Sequence, residues 1–165
     1  MQIWKREIYR IEGTFPLVTM LDSLEHMPAQ LSVLQAARRL IGASGRILVR
    51  IPVIAFAWRE YREDWVQLDP PRHLFLHTRR SLKHLAEQAG LSVTDVIDDS
   101  NSFQFWGSEQ YRRGIPLMSS QSLFTNPNAS LFTPAQIAEF DRHAEALKAT
   151  GDGDTACFFL KTACL

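Results

Sequence analysis

Two short apolar strands joined by one amphipathic helix constrain this chain more than any other feature. Residues 15–21, FPLVTML, form an apolar run of strand length with Val and Thr in it. The polar turn DSLEHMP follows. Leu31, Leu34, Ala37, Leu40 and Ile41 then recur at three- and four-residue spacing and mark one face of a helix. Gly42 and Gly45 bracket a stop, and GRILVRIPV (45–53) reads as a second strand closed by Pro52. Strands connected by a helical crossover pair in parallel, with a right-handed connection. The α/β class follows from this segment alone.

The rest of the chain adds to that unit. Residues 54–77 are rich in aromatics and charge and read as a long irregular loop, the length of a lid or binding element. Thr78 offers an N-cap to a helix with Leu82, Leu85, Ala86 and Ala89 on one face, ended by Gly90. Residues 91–98, LSVTDVID, alternate as a half-buried strand does. SFQFWGSEQYRRG reads as a short helix and IPLMSSQSLFTNPNASLF as a loop. Thr133, Pro134 and Gln136 form a strong helix start, with the helix running to about Lys148. GDGD is a turn before a closing strand, TACFFLKTAC.

Composition bounds the function class. A chain of 165 residues can bury one core, and 45% hydrophobic with 22% charged residues is ordinary for a globular protein. Lys and Arg balance Asp and Glu at 18 each, which gives no basic field for nucleic acid or anionic lipid. The first residues, MQIWKREIYRIEG, mix charges too closely for a signal peptide, and no apolar run reaches membrane-span length. Cys157 and Cys164 match no zinc spacing and read as two thiols in a reducing cytoplasm; no metal site is expected.

In order, these elements resemble the second half of a class I S-adenosylmethionine-dependent methyltransferase of the small-molecule or glycan-modifying kind. FPLVTMLDSLEHMPAQLSVLQAARRL is similar to the fourth strand of that fold, its acidic tip and the helix after it. SGRILVRIPV resembles the fifth strand, and LDPPRHLFLHTRRSLKHLAEQAGL the segment entering the next helix. The resemblance implies a partial Rossmann-like sheet of the fourth to seventh strands with flanking helices. The last two strands would form an antiparallel pair, with a mainly helical insertion at about 100–150 in a single truncated domain spanning 1–165.

The implied cofactor is S-adenosylmethionine. Ligands in open α/β sheets bind beyond the carboxyl ends of the strands, and in the family the tip of the fourth strand faces the methionine part of the cofactor. That makes Leu21, Asp22 and Ser23 the cofactor contacts, mainly through backbone groups, and puts Glu25 and His26 beside the reacting methyl. The plain alternative is that Asp22 and Glu25 are polar residues flanking a helix start. Removal of a proton from a hydroxyl acceptor needs a base near neutral pH, for which His26 and His73 are the candidates. His73 can equally order the DPPRH turn, and Arg72 can form a structural salt bridge there. Trp58, Tyr61, Trp65, Phe103, Phe105, Trp106 and Tyr111 either line an acceptor pocket or form the core of a helical cap; Arg112 and Arg113 read as a solvated face.

The glycine-rich turn, the acidic residue after the second strand and the adenine loop of that fold have no counterpart here, because nothing before residue 15 exceeds one short strand, IYRIEG. LVTML then becomes an exposed edge beside an apolar patch. The expected partners are a small-molecule or glycan acceptor and a second copy, or a complementing polypeptide, at that edge. The competing function is a non-catalytic module derived from a methyltransferase that docks through the same edge.

Overall fold

The computed structural model describes residues 6–129 and 131–163. Four strands form one sheet in the order β1-β2-β4-β3, with β1 Leu17–Leu21, β2 Arg46–Pro52, β3 Leu91–Asp98 and β4 Thr155–Thr162. β1 and β2 run parallel, with Leu17 opposite Arg46 and Leu21 opposite Arg50. β3 and β4 run antiparallel: Ala163 N donates to Gly90 O and Asp99 N to Thr155 O, so one strand's residue numbers rise as the other's fall. The α/β class, the parallel pair and the antiparallel ending all stand as the sequence implied.

The chain divides into two compact units. The first comprises residues up to Ile51, His77–Val96 and Cys157 onward. The crossover helix α1, Gln30–Ile41, lies in it and buries Val33, Leu34, Ala37, Leu40 and Ile41. Leu31, expected on that face, is 36% exposed, and Val33 takes its place because the buried stripe runs through 30, 33, 37 and 40. Helix α3, Arg79–Gln88, begins with a reciprocal cap: Thr78 Oγ1 accepts from Ser81 N at 3.0 Å and Ser81 Oγ from Thr78 N at 2.9 Å. Gly45 permits a close approach at the entry to β2, where a Cβ would lie 2.4 Å from Ile41 O and 2.7 Å from Phe15 O.

β1 is an edge strand. Its Leu17 and Leu21 are 51% and 55% exposed, while Met20 on the opposite face is buried. Residues 8–10, expected as part of a short strand, form instead a single 3-10 turn. It packs against α1, with Arg39 donating to Tyr9 O, and adds no strand to the edge.

The second unit comprises Pro52–Leu76 and Ile97–Ala156. Residues 54–77 are more ordered than the composition suggested. They hold helix α2, Phe56–Tyr61, and two 3-10 turns, Arg62–Asp64 and Val66–Leu68. Aromatic burial explains this: Tyr61 and Trp65 form one core with Phe105, Ala144 and Leu147, against which Phe56, Trp58 and Phe140 pack. Helix α4, Phe103–Arg112, and helix α5, Pro134–Thr150, complete the unit, and Thr133 caps α5 with Gln136. The loop after α4 is pinned by buried Gln110, which donates to Ser122 Oγ at 3.0 Å and accepts from Leu123 N at 2.7 Å. Among the described residues no helix is long and apolar enough to cross a membrane. Cys157 is half-buried on β4, and Cys164 lies outside the described residues.

Candidate functional site

In the first unit the chain turns sharply where β1 ends. Asp22 has a φ of 45°, a left-handed conformation that a short polar side chain tolerates better than most. Its N–H donates to Arg50 O at 3.0 Å, which extends the pairing with β2 one residue past the strand. Its carboxylate takes both oxygens' hydrogen bonds from Arg50 Nη1 at 2.5 Å. The acidic side chain is thereby committed to Arg50, so the tip offers a ligand mainly its backbone.

A 3-10 turn, Leu24–His26, follows at once. Leu24 and Glu25 are buried in it, and His26 Nε2 lies 3.8 Å from Glu25 Oε1. Two buried polar residues set the turn from behind: Gln30 Nε2 donates to Leu24 O at 2.7 Å, and His77 Nε2 meets Gln30 Oε1 at 2.9 Å. Burial pushes the His77 imidazole below its ordinary value. Beside the turn, a largely apolar cavity of about 510 Å³ runs along the edge of β1, between Val18 and Met20 on the strand and Ile11, Ser23 and Met27.

The second unit holds His73. Its ring is nearly buried, with Nδ1 2.7 Å from Gln67 O and Nε2 3.8 Å from Asp69 Oδ2, and its backbone N–H donates to Asp69 O. Arg72 pairs with Asp69. The ordering role of His73 in the DPPRH turn and the salt bridge of Arg72 are thus both present. Gln67 is anchored in turn: its Nε2 donates to Asp154 Oδ2 at 2.7 Å and to Thr155 Oγ1 at 2.9 Å. Trp65 Nε1 donates to the same Asp154 oxygen at 2.9 Å. Burial pushes the Asp154 carboxyl above the usual carboxylate range, against the opposing pull of its donors.

Of the seven aromatics, Trp58, Tyr61, Trp65 and Phe105 belong to the core of the second unit, while Phe103, Trp106 and Tyr111 are half-buried outside it. Phe105 stacks on His143 with centroids 4.6 Å apart and on Phe140 at 5.7 Å, and Trp58 meets Trp65 edge-on. Arg112 and Arg113 do more than face solvent. Arg112 lies over the Tyr61 ring at 4.3 Å and donates to Glu60 O at 2.6 Å, while Arg113 lies over Phe132.

Leu21, Asp22, Ser23, Glu25 and His26 therefore stand together on one strand end and one turn, and His73 stands in its own turn in the second unit. Sequence reasoning missed Arg50, Gln30, His77, Gln67 and Asp154. Gln30 reads as the first residue of a helix, and Asp154 as the last residue of a GDGD turn. Only His77, an imidazole just before a capping Thr, carries a local signal.

Solved structures share this fold. The mitomycin 7-O-methyltransferase MmcR superposes with a TM-score of 0.57 at 11% identity, over 98% of this chain and 34% of that one. The cyclase SpnF gives 0.55 at 14% identity, over 97% and 56%. The StiE O-MT segment gives 0.52 at 13% identity, over 98% and 49%. The chain spans between about a third and somewhat over half the length of these relatives. No protein of curated function gives a significant match. A methyltransferase domain family matches residues 4–96, more than half of the sequence. This protein belongs to the methyltransferase domain family, and its four-stranded mixed sheet with flanking helices matches part of the α/β fold of these structures.

Proposed function

We propose that this chain is the methyl-transfer side of an S-adenosylmethionine-dependent methyltransferase acting on a small-molecule or glycan acceptor. The observation that carries the reading is the tip of β1, where left-handed Asp22 turns the chain into a buried turn bearing Glu25 and His26. The donor set fits the methionine end of the cofactor. Met20, Ser23 and Met27 are among the residues that line the cavity beside the tip, a setting suited to a short polar-ended, sulfur-bearing chain. Leu21, Asp22 and Ser23 hold that end through their backbone groups.

When bound, the cofactor supplies a methyl group already activated on a sulfonium. Alignment with a nucleophile then provides much of the rate. Buried Glu25 places a carboxylate 3.8 Å from His26, and in this reading His26 takes the proton from an acceptor hydroxyl. His73 is the second imidazole suited to that task.

The adenosine side belongs, in this reading, to residues outside these 165, and their strand adds to the open edge of β1. Exposed Leu17 and Leu21 and the apolar cavity support an edge that pairs, either with such a strand or with a second copy. In this reading the 165 residues act as one domain whose insertion at about 100–150 is mainly helical, working in the cytoplasm.

Titration calorimetry with S-adenosylmethionine tests this, on the chain alone and after co-expression with a polypeptide carrying a strand, a glycine-rich turn and a helix. Binding that appears or tightens at least tenfold with the added half is the expected result. No binding in either sample overturns the reading and favours a non-catalytic docking module.

A further inference from the structure

The second unit contains a run of hydrogen bonds that starts at a fully buried carboxylate and ends at an imidazole. We propose that Asp154 and Gln67 are positioning residues that commit His73 to gain and lose its proton at Nε2.

A carbonyl oxygen can only accept a hydrogen bond. His73 Nδ1 lies 2.7 Å from Gln67 O, so Nδ1 carries a hydrogen whether the ring is neutral or charged. Proton exchange is left to Nε2, which lies 3.8 Å from Asp69 Oδ2. Asp69 also pairs with Arg72, the charge of Tyr111 is felt by that pair, and ligand atoms of Glu25 and His26 lie within 4.8 Å of one on His73. A proton taken from an acceptor hydroxyl onto Nε2 makes an imidazolium, and the same nitrogen gives it up again. Nδ1 keeps its hydrogen and its carbonyl throughout.

What holds that carbonyl in place is the Gln67 side chain, which donates to both Asp154 Oδ2 and Thr155 Oγ1. Two neighbours of Gln67 are tied as well: Trp65 Nε1 reaches the same Asp154 oxygen, and Val66 N donates to Ser108 Oγ at 3.0 Å. Burying a carboxylate opposes folding unless donors surround it. Here two of its donors come from Gln67, on the 3-10 turn that presents the carbonyl to His73, and from Trp65, the residue that enters that turn. A merely structural role for Asp154 would alter stability and leave the tautomer of His73 as it is.

The test is nitrogen-15 NMR of the histidine rings in the full 165-residue chain between pH 5 and 9, with His73 assigned through His73→Gln. In wild type the neutral ring is expected with its hydrogen on Nδ1, and Nε2 should give the resonance of a ring nitrogen that carries none. Gln67→Met keeps the volume and removes the amide; the population of the Nε2–H tautomer should rise several-fold. Asp154→Leu should do the same, and if it fails to fold, Gln67→Met decides alone. An Nε2–H tautomer in wild type, or an unchanged ratio in folded Gln67→Met, overturns the proposal. The inference rests on the reading of His73 as a base only for its functional meaning. A locked tautomer together with full methyl transfer by His73→Gln would sink that reading and leave the positioning intact.

Discussion

His77 donates from Nε2 to Gln30 Oε1 across 2.9 Å, and the direction of that bond is forced. Gln30 Nε2 must face Leu24 O, which only accepts, so the amide oxygen faces the imidazole and Nε2 must carry the hydrogen. The other ring nitrogen lies 3.1 Å from Ser81 Oγ, within the cap of α3. One buried neutral imidazole therefore joins the start of α3 to the turn that carries Glu25 and His26.

A pH dependence follows. Burial holds the folded His77 below the unfolded value of about 6.5, so the unfolded chain binds the proton more readily. The stability that His77 contributes is complete above about pH 6.5 and is lost as the pH falls toward the folded value, at up to about 1.4 kcal/mol per pH unit. Urea unfolding of wild type and His77→Gln across pH 5–8 should show a constant wild-type advantage at the upper end that shrinks below it. An advantage that grows on acidification would contradict the assignment.

Gln30→Met keeps the volume but leaves Leu24 O and His77 without their shared partner. Unmet buried polar groups cost about 1–3 kcal/mol. The loss should appear in chemical unfolding, and the effects of Gln30→Met and His77→Gln together should be less than their sum, because both remove the same bridge.

Asp154 gives the opposite pH signature. Its folded carboxyl sits above the unfolded value, so what it contributes is present below the unfolded value and lost as pH rises through the folded one. Asp154→Asn is therefore expected to be more stable than wild type near neutral pH, with the gain shrinking toward pH 4. Equal curves across that range would mean that the surrounding donors cancel the burial.

The structure and the sequence agree best where a single periodic pattern decides an element. β1, α1, β2 and the caps at Thr78 and Thr133 follow from local spacing and capping chemistry, and each lies where the residues imply. Residues 54–77 do not follow, because their order comes from Tyr61 and Trp65 meeting Phe105 and Leu147 far along the chain, contacts that no local window contains. The candidate site divides in the same way. Asp22 through His26 is one contiguous segment that a local window contains, whereas Asp154 reaches Trp65 across 89 residues and Gln67 across 87.

Gly107 marks a close approach in the second unit. A Cβ there would lie 2.8 Å from Val66 Cγ2, on the turn that also carries Gln67. Gly107→Ala should cost about 1–3 kcal/mol through overpacking. In a Val66→Ala background the nearest contact is removed, but Phe103 Cε2 and the residue-66 Cβ stay at 3.0 Å, so the cost should fall without vanishing. Thermal unfolding of the four proteins of that cycle checks this coupling.

The exposed edge predicts association. Wild-type chain alone should elute at a size that increases with concentration, and Leu17→Lys, which puts a charge on half-exposed β1, should shift it toward monomer. Identical elution of the two proteins at all concentrations would show that the edge is inert.

That edge also imposes a discrete geometry on whatever joins it. A strand that slips by one residue turns its side chains to the wrong face, so an incoming strand can dock only in two-residue steps of roughly 6.6 Å. Any loop carried at the end of such a strand would thus reach Asp22 at one setting and overshoot or fall short by most of a nucleoside's width at the next. Leu17–Leu21 acts in this sense as a ruler with coarse graduations, on which correct alignment is all or nothing.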